Sequence, residues 1–202
     1  MALRGEALRQ HILHSAKTVF LELGFERTSM DEVAARAGTS KRTLYTYFAS
    51  KDNLFLAVIS LVRELYLGNL GTPDQYADDP REAVARYCGR FLHLMLWQPA
   101  LRTCRMAIAE AERLPEASVQ FYDAIAATVQ DRLAAYLVME GLAAEERSRE
   151  VASALLGQMV FPRLFAALLG AEPPLLTPPE EGEIDARINL GPIRALIAQL
   201  VG

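Results

Sequence analysis

Residues 28–54 read "TSMDEVAARAGTSKRTLYTYFASKDNL", which places three helix starts and a sharp turn in one short segment. Ser29 precedes an apolar pattern and Glu32 stands three residues on, the spacing of a capping box. Val33, Ala34 and Ala37 then form an inner face that stops before Gly38. After the turn Gly38-Thr39-Ser40, Ser40 is placed to cap a further helix, in which Leu44 and Phe48, four residues apart, face inward. Ser50 opens the next helix, with Asn53 where Glu or Gln would be usual, and Leu54, Phe55, Val58, Ile59, Leu61 and Val62 form its apolar side. Upstream, Leu8, Ile12, Ala16, Val19, Phe20 and Leu23 recur at helical spacing, and Gly24 follows as a natural stop.

Two short helices joined by a tight glycine-containing turn, the second with a polar outer face, describe a helix-turn-helix. That motif lays its second helix in the major groove of DNA while the first crosses the backbone. Lys41, Arg42, Thr43, Tyr45, Thr46 and Tyr47 suit this task. They offer cations for phosphates, hydroxyls for phosphate oxygens or base edges, and a guanidinium able to contact guanine in bidentate fashion. Ser29 and Lys51 stand at helix N-termini, where backbone N–H groups and the helix dipole favour a phosphate. Capping and core packing compete for some of these groups: the serines are caps first, and Tyr47, three residues from Leu44, is placed for partial packing. Arg4 is positioned for a minor-groove contact as part of an N-terminal arm.

Charge is distributed in the same sense. The formal net charge is -4, yet residues 1–51 hold eight Lys or Arg against five Asp or Glu, while the remainder holds 13 against 20. A basic head on an acidic body is expected where only one end meets a polyanion. With 202 residues, 51% of them apolar, the chain can bury a substantial core. No uninterrupted apolar run approaches the roughly 20 residues of a membrane helix, and "MALRGEALRQHILHSAK" lacks a secretory core, so a cytoplasmic protein without a membrane partner is expected. Cys88 and Cys104 are expected as free buried thiols.

Beyond residue 64 the pattern is helical and punctuated by proline. Helices are expected near 81–97, 100–113, 116–140, 144–169 and 184–200, with a kink at Pro162 and a proline-rich loop "GAEPPLLTPPEEG" before the last. Val151 to Leu169 is apolar on nearly all sides and must be covered twice. One side serves the subunit's own core. The other, with Ile193, Leu196, Ile197 and Leu200, is the candidate for a four-helix dimer seam. The histidines His11, His14 and His93 form no ligand cluster, and no phosphate loop or nucleophile motif is present, so no catalytic residue, metal site or cofactor is expected.

The stretch "FLELGFERTSMDEVAARAGTSKRTLYTYFASKDNLFLAVI", residues 20–59, resembles the N-terminal domain of the TetR family of bacterial transcriptional regulators. Gly24-Phe25, Thr28-Ser29, Ala34, Gly38, Ser40-Lys41, Thr43-Leu44-Tyr45, Tyr47-Phe48 and Lys51 carry the likeness. "RMAIAEAERLPEASVQFYDAI", residues 105–125, looks like the sixth and seventh helices of one TetR subgroup. Arg42 stands where the family frequently has a small residue, and Thr46 at one of its most variable positions, so the operator sequence stays open. The resemblance implies an all-α chain with a helix-turn-helix DNA-binding domain over 1–52 and a helical effector-binding and dimerisation domain over 53–202. It implies a homodimeric repressor that reads a palindromic double-stranded operator and is released by a small apolar effector. The candidate DNA-contacting set is Thr28, Ser29, Thr39, Ser40, Lys41, Arg42, Thr43, Tyr45, Thr46, Tyr47 and Lys51. The candidate ligand-lining set is Phe91, Met95, Trp97, Met106, Phe121, Tyr122 and Met159, bulky residues that core packing would explain equally well. The alternative is a helical protein-interaction module whose helix-turn-helix does not bind DNA.

Overall fold

The computed structural model describes residues 5–178, 184 and 188–201. The chain is all-α, without strands among these residues. The helices are α1 (Glu6–Arg27), α2 (Met30–Arg36), α3 (Lys41–Tyr47), α4 (Lys51–Leu70), α5 (Pro80–Leu96), α6 (Gln98–Ala109), α7 (Pro115–Tyr122), α8 (Thr128–Met139), α9 (Glu145–Leu168) and α10 (Gly191–Leu200). A 3₁₀ turn at Pro73–Gln75 precedes α5, and a π-helical turn at Asp123–Ala127 joins α7 to α8 within the span expected as one helix over 116–140. Arg4 and residues 185–187 of the expected last helix lie outside the described residues.

Backbone contacts divide the chain into two compact units: Met1–Leu65 with Arg102–Tyr122, and Tyr66–Leu101 with Asp123–Gly202. In the first unit, α1 buries Ile12, Leu13, Ala16, Val19 and Phe20. Gly24 interrupts its helical geometry at φ 77, ψ 172, and the chain turns to bring Phe25 back against Phe20. Phe55 of α4 meets both rings edge-on, at 5.2 and 5.0 Å between centroids. Such offset and edge-to-face ring pairs stabilise beyond their buried area. Arg36 of α2 is fastened to Glu22 of α1 through both guanidinium ends, at 3.2 and 2.8 Å.

In the second unit α5 is buried from Ala83 to Leu96 except for Arg86. The segment after α9 is pinned where α5 gives way to α6: Gln98 N donates to Leu175 O at 2.8 Å and Leu175 N to Leu96 O at 2.9 Å. Arg132 of α8 donates to Leu67 O and Gly71 O, both at 2.9 Å, and so fastens α8 to the C-terminal end of α4 and the residue after it. α9 runs unbroken through Pro162 rather than ending there, so the ring costs one backbone donor without interrupting the helix. Its two faces separate cleanly. Val151, Leu155, Leu156 and Val160 are buried, whereas Phe161, Phe165 and Leu169 form an exposed stripe at four-residue spacing. Ile193 and Ile197 of α10, expected at a dimer seam, are buried within their own chain, while Leu196 and Leu200 are half-buried.

By length and composition α4 and α9 could each cross a membrane, because their charges cluster at a few positions. Both bury one face inside the chain, as core helices do. Cys88 and Cys104 are free and buried, and burial pushes each thiol up to about 12, so neither is poised to ionise near neutrality.

Candidate nucleic-acid interface

The geometry of α2 and α3 follows from their caps. Ser29 Oγ accepts from Glu32 N at 3.1 Å, and Ser40 Oγ accepts from Thr43 N at 3.0 Å. Between the two helices Gly38 takes φ +60, the left-handed conformation that a side chain resists, and Thr39 N closes the turn on Ala34 O at 3.0 Å. Within α3 only Leu44 is buried, and Phe48, immediately after the helix, joins it in the core. One inward leucine on so short a helix leaves the remainder of its surface turned outward.

That outer surface is cationic and hydroxylated. Arg42 is exposed and its guanidinium makes no hydrogen bond or ion pair among the described residues, while Tyr45 stands 44% exposed one turn further on. Thr46 is exposed, with its hydroxyl donating to Arg42 O at 3.0 Å. Thr43 is half-buried, 2.8 Å from Ser40 between hydroxyl oxygens, and Tyr47 is half-buried, as is Thr39 in the turn. Lys41 pairs with a carboxylate oxygen of Asp31 at 2.9 Å, and that hydrogen bond, aided by the carboxylate's charge, holds the ammonium above its usual range. The first turn of α3 thus carries Lys41 and Arg42 and no acidic residue. Two cations at a helix N-terminus oppose its dipole, so this arrangement works against the helix's own stability and is suited to an approaching anion.

Two members of the sequence-derived set are committed elsewhere. Thr28 is 3% exposed, and its hydroxyl donates to Gly24 O at 2.7 Å, filling the place of the backbone bond lost at the interruption of α1. Lys51 Nζ donates to Phe25 O at 3.1 Å and to Glu26 O at 3.4 Å, and lies 4.2 Å from the Phe25 ring centroid. It tethers the end of α1 to the start of α4. The same ring receives Arg113, 4.1 Å away, which also pairs with Asp52 at 2.9 Å and Glu110 at 2.7 Å. Sequence reading missed the roles of Asp31, Glu22 and Arg113, because their partners are distant in sequence.

Of the ligand-lining candidates, Phe91, Met95, Trp97 and Met159 belong to the second unit and Met106, Phe121 and Tyr122 to the first. Phe91, Met95 and Phe121 are buried, Trp97, Met106 and Met159 are half-buried, and Tyr122 is exposed. Within the second unit an open groove of about 580 Å³ lies among α5, α9 and α10. It gathers Met159 with Leu92, Gln158, Pro162, Arg163, Asn189, Pro192, Ile193, Ala195, Leu196 and Gln199. Its lining includes Ile193 and Leu196 of α10, both expected at the dimer seam.

Residues 12–58 match the model of the family described as bacterial regulatory proteins, tetR family, and residues 82–174 match that of the AefR-like transcriptional repressor C-terminal domain. The HTH-type transcriptional activator FasR of Mycolicibacterium smegmatis is 47% identical over 51 residues, 25% of this chain and 23% of FasR. The HTH-type transcriptional regulator RutR of Escherichia coli K12 is 36% identical over 64 residues, 32% of this chain and 30% of RutR. The chain therefore aligns with less than a third of the length of these curated relatives. Over nearly the whole chain its fold is similar to a solved TetR-family structure from Mesorhizobium loti, with TM-score 0.77 and 22% identity across 98% of this chain and 97% of that one. The flavonoid-responsive regulator FrrA is likewise similar, with TM-score 0.68 and 26% identity across 96% and 97% of the two chains. The helix-turn-helix with its outward cations, and a helical remainder that matches a second family model, make this chain a member of the TetR family of bacterial regulatory proteins.

Proposed function

We propose that the protein is a homodimeric transcriptional repressor that reads a palindromic operator through α3 and leaves it when a small molecule binds the helical body. The observation that carries this reading is Arg42: exposed, unpaired among the described residues, and one helical turn from Tyr45 and Thr46 on the outer surface of α3. A guanidinium in that position is available for a guanine edge, while Lys41 and Ser29 serve phosphates. In this assignment residues 1–52 are the reading head and 53–202 take the effector and the second subunit.

Dimerisation is supported by the exposed stripe Phe161, Phe165 and Leu169 on α9, since contiguous exposed aromatics mark interaction surfaces. An isologous pair through this stripe would set two heads on successive half-sites of a symmetric operator. The repressive sense is supported by the AefR-like match, and the flavonoid-responsive regulator FrrA is a precedent for a small-molecule effector. α4 contributes Lys51–Leu65 to one unit and Tyr66–Leu70 to the other, so displacement of its far end by an effector would tilt the head.

The test is a gel shift with DNA flanking the gene, followed by a salt titration of the bound fragment. Operator-specific binding that weakens steeply with salt, and basal transcription that rises when the gene is deleted, are the expected results. Equal, weak binding to all fragments would remove the operator reading, and transcription that falls on deletion would make the protein an activator, as FasR is named.

A further inference from the structure

α5 takes a charged side chain into the interior of the second unit. Arg90 is 4% exposed, yet neither Nε nor Nη1 has a hydrogen-bond partner, and no ion pair involves it among the described residues. The hydroxyl oxygen of Thr177 is likewise shielded from solvent and unpartnered. His93, three residues along α5 and therefore on the same face as Arg90, places its Nε2 3.3 Å from Thr177 O. His93 thus brings Thr177, with its shielded hydroxyl, against the face of α5 that also carries the buried guanidinium. Beside them Gly89 lets Leu190 and Ile184 approach α5 so closely that an added Cβ would lie 2.4 Å from Leu190 Cδ2 and 3.1 Å from Ile184 Cγ2, which helps to exclude water.

A guanidinium with two of its three nitrogens stripped of water and no counter-charge among the described residues is unfavourable in a core. A lysine could relieve the cost by losing its proton, but a guanidinium does not. The arrangement becomes favourable once an anion arrives, and burial that is costly without the anion makes its charge the main source of selectivity. We propose that Arg90 anchors a binding site for an amphiphilic organic acid. The carboxylate pairs with the guanidinium, the Thr177 hydroxyl donates to the same headgroup, and the apolar remainder lies among the aliphatic and aromatic side chains packed along α5. This deepens the effector reading above: the ligand carries an acidic headgroup rather than being wholly apolar.

The test uses the full chain, stripped of bound small molecules by dialysis, and no DNA. Thermal unfolding and calorimetric titration compare octanoate with octanamide, and benzoate with benzamide. An acid should raise the melting temperature in proportion to the logarithm of its concentration, while its neutral amide should not. Arg90→Met should abolish that response and, in buffer alone, melt no lower than the wild type. Arg90→Lys should keep a weakened response. Acid and amide acting alike on the wild type, or neither acid acting at all, would overturn the proposal without reference to any variant. An Arg90→Met protein that melts well below the wild type in buffer would also overturn it, because the guanidinium would then have an internal partner. A protein that binds operator but ignores acids fails this inference alone. One that responds to acids but binds no DNA fails only the regulatory reading.

Discussion

Lys51 donates to the carbonyl of Phe25 at 3.1 Å while its ammonium lies 4.2 Å from the centroid of the same residue's ring. One side chain therefore neutralises the open carbonyl end of α1 and holds the first turn of α4 against it. A cation so placed favours the C-terminal end of a helix dipole and gains from the ring's negative face. Its availability to a phosphate is correspondingly reduced.

Replacing Lys51 with Met should accordingly lower both stability and DNA affinity, by about 1 kcal/mol of stability from the lost tether, and weaken all DNA sequences alike. Arg42→Ala should leave stability unchanged, cost about 1–3 kcal/mol at one base pair per half-site and relax preference there. Chemical denaturation and competition binding against single-base operator variants check the pair. Uniform loss in both variants, with stability intact in both, would remove the division between tether and reader.

Thr28→Val preserves shape and burial but removes the hydroxyl bonded to Gly24 O. Stability should fall by about 0.5–1.5 kcal/mol, the net worth of one such bond. Operator affinity, measured well below the melting temperature, should stay within a factor of a few. A large loss of affinity from a stable Thr28→Val protein would place that hydroxyl on DNA and contradict its burial.

The stripe on α9 invites a direct disruption. Phe161 and Phe165 stack at 5.6 Å and stand 65% and 52% exposed, so replacing both with Glu removes no buried core. Light scattering should then report a monomer of 22.3 kDa where the wild type gives twice that mass, with circular dichroism unchanged. Cooperative operator binding should disappear with the dimer. A folded double variant that still dimerises would move the seam to another face.

Glu82 of α5 is held below the ordinary carboxylate range, chiefly by its hydrogen bond from Arg194 of α10; burial opposes this, and Arg86 reinforces it. With the folded value below the unfolded one, ionised Glu82 favours the folded chain. Its contribution is full above the ordinary value of 4.5 and fades as pH falls from there through the depressed folded value. Arg194→Met should therefore be less stable than the wild type at neutral pH, with the gap closing on acidification below 4.5. Urea midpoints measured across that range check the sign, and a gap that widens in acid would contradict the linkage.

What was legible in the sequence was local. Ser29, Ser40 and Ser50 cap their helices through bonds to the residue three positions on, Gly38 supplies a left-handed turn, and Leu44 and Phe48 mark the inner side of α3; each is a relation within a few residues, governed by backbone geometry and helical period. The all-α class, the helix-turn-helix and the outward position of Arg42 follow from such relations alone. The tertiary structure decided what each polar group does with its hydrogen bonds. Thr28 was turned inward onto Gly24, Lys51 was drawn back 26 positions to Phe25, and Arg90 was carried into an interior that no spacing rule announces. Ile193 and Ile197 likewise went to their own subunit's core, while Phe161 and Phe165 stayed outside. The reason is that helical periodicity states which face of a helix is apolar but not what covers it, and desolvation is settled only when a second element arrives from elsewhere in the chain.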